Sequence, residues 1–107
     1  FRRVLFRSWF DWFGNEADGF ARLNDRISTI CRDVGRDPAT LLRSACLLVD
    51  VDPGSRERPV PTEYPAATLD DVSQRIDELG AAGADEVILV SNPIDARSVS
   101  SLADRVL

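Results

Sequence analysis

Two acids and two arginines share one short stretch of this chain. Asp50 and Asp52 stand two residues apart, which on a strand turns both carboxylates to the same side. Such a pair suits cation binding or acid–base work. A hard cation wants several oxygens, however, and no third ligand stands nearby in the sequence. Arg56 and Arg58 follow closely. Their planar guanidinium forks match a phosphate or a carboxylate; the plainer reading is a pair of solvated loop charges. Trp9, Phe10, Trp12 and Phe13 cluster before the first predicted helix. They offer either a stacking platform for a cofactor ring or a piece of core or interface.

Cys31 and Cys46 are not in a C-x-x-C pair, and the chain contains no His. The usual zinc spacings are therefore missing, and so are His-dependent triads. The cysteines read as small apolar residues; a nucleophilic role requires an activating neighbour. No residue is assigned here as catalytic or cofactor-binding, and no metal site is expected.

The elements that position these residues are legible from periodicity. Phe20, Leu23, Ile27, Ile30 and Val34 recur at spacings of three and four, which predicts a helix over 15–35 with one apolar face. Gly35 is placed to end it in a left-handed conformation. Asp37-Pro38 then starts a short turn over 38–42, Asp as cap and Pro in the first turn. The unbroken apolar run Ala45-Cys46-Leu47-Leu48-Val49 predicts a strand over 43–51, buried on both faces as in a parallel sheet. Pro53, Gly54, Pro59, Pro61 and Pro65 make 52–67 a long loop.

Thr68 caps a second helix, with Asp70 and Asp71 in its first turn and Leu69, Val72, Ile76 and Leu79 on its apolar face. Gly83 ends that helix. Glu86 to Val90 predict a second strand, Ser91-Asn92-Pro93 a turn, and Asp95 to Leu107 a last helix through Val99, Leu102 and Val106. Two strands joined by a helical crossover are expected to be parallel, with a right-handed connection. Two strands do not make a covered parallel sheet, so further strands are expected upstream.

The chain has 107 residues, enough for one small domain, and its apolar and charged fractions are those of a globular protein. It carries 13 basic and 18 acidic residues, and every basic residue is Arg. That balance, without a basic stripe, argues against nucleic-acid binding. No apolar run reaches the roughly 20 residues of a membrane span. No signal peptide is legible, and a cytoplasmic location is expected.

Phe1 to Ser8 stands apart. It holds three of the arginines and resembles one reading frame of a common DNA-sequencing adapter, so 1–8 is expected to be an artefact and 9–107 the protein proper. Without it the formal charge falls from −5 to −8. The alternative is a genuine basic amphipathic arm, for which Val4, Leu5 and Phe6 give little buried area.

The stretch Cys31-Arg32-Asp33-Val34-Gly35-Arg36-Asp37-Pro38, after an amphipathic helix and before a strand, resembles the luciferase-like monooxygenase family, whose members commonly read C-x-x-x-G-R-D-P near the end of their barrel. Thr68-Leu69-Asp70-Asp71-Val72 with Gly80-Ala81-Ala82-Gly83-Ala84-Asp85-Glu86-Val87-Ile88-Leu89-Val90 resembles that family's last helix-to-strand unit. The resemblance implies an α/β fold, the C-terminal part of a (β/α)8 TIM barrel, here about two parallel strands and three helices. It implies a parent oxidoreductase or monooxygenase that uses FMN or 8-hydroxy-5-deazaflavin on a small organic substrate, with a homodimer as one compatible assembly. This piece would be inactive alone. The sequence departs from the family at Ala66-Ala67, where a glycine often precedes the capping Thr. It also holds no glycine-rich phosphate-binding turn. Two rival readings stand: a fragment of another α/β-barrel or doubly wound enzyme, and a small non-enzymatic binding module.

Overall fold

The computed structural model describes the backbone of residues 8–11 and then residues 16–107 in full. Residues 1–7, Trp12 and Phe13, and with them the expected artefact segment and half of the aromatic cluster, lie outside the described residues. The order of elements is β1 (Ser8–Asp11), α1 (Ala17–Asp33), β2 (Leu42–Asp50), α2 (Val72–Ala81), β3 (Glu86–Asn92) and α3 (Ala96–Val106), with single 3₁₀ turns at Pro38–Thr40 and Pro53–Ser55.

The three strands form one parallel sheet in the order β1-β2-β3. This corrects the count of two strands. Ser8 pairs with Leu42 and Asp11 with Ala45, so the boundary drawn after Ser8 falls inside a strand. Four residues are too few to show an alternation, which is why β1 read only as an aromatic cluster. β2 and β3 pair in register from Ser44↔Glu86 to Asp50↔Asn92. Ser91 and Asn92 thus complete β3 rather than forming a turn, and the turn begins at Pro93.

The helix ends follow the local chemistry. Gly35, at φ +78°, closes α1: its N–H donates to Arg32 O, and the Arg36 N–H donates to Cys31 O. Gly83, at φ +109°, closes α2 the same way, through Gly80 O and Leu79 O. These paired bonds satisfy carbonyls that the helix leaves open. A Cβ on Gly83 would also collide with the Asn24 side-chain amide. Asp37 accepts from the Ala39 N–H and Asp95 from the Ser98 N–H, each capping the turn or helix it precedes. Thr68 and Asp71 cap reciprocally: the Thr68 N–H donates to Asp71 Oδ1 and the Asp71 N–H to Thr68 Oγ1. The regular helix therefore begins at Val72, one turn later than Thr68 alone predicts.

All the described helices share one core. Phe20 from α1, Ala45, Leu47 and Val49 from β2, Val72 and Leu79 from α2, and Leu102 from α3 form one buried cluster, with Val87 and Leu89 of β3 packed against it. Alternation puts Ser44, Cys46, Leu48, Asp50, Ile88, Val90 and Asn92 on the other face. None of these joins the cluster, and Ile88 remains 42 % exposed. α1 buries less of its apolar stripe than expected: Phe20 is enclosed, but Leu23, Ile30 and Val34 are exposed. Val34 is the residue at which the helix ends, so its side chain passes beyond the packed surface.

Candidate strand-end site

Asp50 and Asn92 are cross-strand partners at the C-terminal ends of β2 and β3. Each holds a different part of the loop that follows β2. Arg56 reaches back to Asp50 with both Nε and Nη2: Nε lies 3.0 and 3.1 Å from the two carboxylate oxygens, and Nη2 lies 2.5 Å from Oδ2. This is a two-pronged, charge-assisted contact. The Asp50 side chain is 10 % exposed and that of Arg56 43 %. Hydrogen bonding to Asp50 raises the Arg56 pKa above its ordinary value, so the guanidinium stays charged.

Asn92 is completely buried. Its Oδ1 accepts from the backbone N–H groups of Glu57, at 3.0 Å, and Arg58, at 3.4 Å, and its Nδ2 donates to Arg58 O at 3.0 Å. Its own carbonyl accepts from the Val51 and Asp52 N–H groups. Glu57 adds a further tie, accepting from the Ile94 N–H. One buried amide therefore fixes the path of 57–58 across the end of the sheet. On the far side of the loop, Ala67 bridges Val49: its N–H donates to Leu48 O and its carbonyl accepts from the Asp50 N–H.

The sequence candidates separate here. Asp50 and Arg56 come together as a pair, so Asp50 is not a free acid. Asp52 is not its partner: Asp52 Oδ1 accepts from the Gly54 N–H and caps the turn at Pro53–Ser55. Arg58 is exposed, and among the described residues no ion pair or hydrogen bond engages its guanidinium. Cys31 and Cys46 are both buried and form no disulfide. Among the described residues no cluster of His, Cys, Asp or Glu is arranged to hold a metal ion, and no helix is long and apolar enough to cross a membrane. Asn92 was the residue that spacing missed. It read as a turn former, because its partners lie 34 and 35 residues away; a polar residue closing an apolar strand was the one available signal.

Chemically, the strand ends present a charged pair at the surface and an ordered loop. They offer no nucleophile–base pair. Grooves lie elsewhere, one between α1 and α2 and one between β3 and α3. No protein-family model, curated protein or solved structure matches the chain.

Proposed function

We propose that this chain is the C-terminal part of a (β/α)8 barrel from a luciferase-like oxidoreductase that uses FMN or a deazaflavin. One observation supports the barrel reading most. The sheet is all-parallel, yet among the described residues the hydrophobic cluster lies on one face, while the other face buries Ser44 and Cys46 and leaves Ile88 exposed. Parallel sheets occur almost only with both faces covered, and a barrel achieves this by turning the second face inward. In such a barrel, Cys46, Leu48, Ile88 and Val90 point to the interior, and Asp50, Asn92 and the 51–67 loop lie at the catalytic end. The C-x-x-x-G-R-D-P stretch adds the family. Its residues here are structural: Gly35 closes α1, Asp37 caps the next turn, and Arg36 Nε donates to Thr40 Oγ1.

The flavin itself does not fit the described residues taken alone. Arg56 is engaged by Asp50, Arg58 stands exposed, and the backbone N–H groups of 57–58 are already taken by Asn92. These residues form no cradle for a phosphate or a ring, so no catalytic step is assigned to them. The piece is expected to be silent by itself.

The test is to read the source DNA upstream of Ser8 and express the longer reading frame it encodes. The expected result is a chain with further strand–helix units that binds FMN or the deazaflavin in a fluorescence titration, while the 107-residue chain binds neither. A longer chain that binds neither cofactor removes the oxidoreductase reading. An upstream sequence with no strand–helix units removes the barrel as well.

A further inference from the structure

We draw no further inference here: the strongest candidate, the exposed apolar stripe that Leu23, Ile30 and Val34 form along α1 and its C-terminal cap, carries nothing because nothing in the structure shows what covers it.

Discussion

Both ends of the β2–β3 pair hold an arginine, and they use it differently. At the N-terminal end, Arg43 Nη1 donates to Asn24 Oδ1 at 2.6 Å and Ser28 Oγ at 2.7 Å, and Nη2 donates to Pro38 O at 2.9 Å. Its backbone is clamped to Asp85 on both sides, through its N–H to Asp85 Oδ2 and its carbonyl from the Asp85 N–H. Every side-chain partner is neutral and belongs to α1 or the turn after it. The guanidinium acts there as glue between a helix and a strand. At the C-terminal end, the half-exposed Arg56 meets a single, nearly buried carboxylate, and the loop is held instead by the neutral, buried Asn92. The cation that is spread over neutral acceptors joins elements together, and the cation that is paired and exposed decorates an end already fixed by something else. An ion pair whose cation stays half in water gains only part of its Coulomb energy, whereas a buried amide with several bonds is costly to lose.

Three measurements sharpen or break that contrast. The largest effect is expected at Asn92. Asn92→Ala removes three side-chain hydrogen bonds at a fully buried position, and we predict a loss of about 3 kcal/mol in urea unfolding, from unsatisfied groups and the space left behind. A loss as small as that of a surface substitution would mean that the loop is held by Arg56 after all. Next comes the opposite end. Arg43→Gln keeps some polarity but cannot span Asn24, Ser28 and Pro38 together, and we predict a loss of about 2 kcal/mol, the scale of hydrogen bonds from a charged group. If the double variant with Ser28→Ala loses no more than Arg43→Gln alone, the network acts as one unit.

The smallest effect is at Asp95, the cap of α3. The Ser98 N–H, with the Ser98 hydroxyl behind it, lowers the Asp95 pKa below the ordinary value. A depressed carboxylate contributes stability above its unfolded value, about 3.9, and loses it as pH falls through the lower folded value. Wild type is therefore expected to be more stable than Asp95→Asn near neutrality, with the gap closing in acid below about pH 3.9. A gap that is constant with pH would show that the charge on Asp95 adds nothing to its role as a cap.

What the sequence made legible was local. Gly35, Asp37 and Gly83 act within a turn of where they stand, and each was read correctly from its neighbours; Asp95, read as the first residue of the last helix, is its cap. The runs at β2 and β3 were long enough to identify as strands. The parts that were not legible depend on distance along the chain. Arg56 read as a solvated loop charge, or as a fork for a phosphate or carboxylate, and its partner Asp50 becomes available only because the 3₁₀ turn at Pro53–Ser55 brings the loop back. Asn92 acts on residues that come within reach only when β3 is laid beside β2. β1 gained its identity from β2 rather than from its own four residues. The strand-end acids and arginines were thus found by type, while their pairing came from the fold.

The loop between β2 and α2 is held at both ends, by Asn92 on Glu57 and Arg58 and by the bridge of Ala67 to Val49. From Pro59 to Glu63, no hydrogen bond or ion pair ties the chain down among the described residues. Lengthening a flexible loop costs little, about 0.6 kcal/mol for each doubling. The five residues from Pro59 to Glu63 are therefore where this scaffold can accept grafted sequence, an epitope or a new binding segment, while the sheet end on either side keeps its shape.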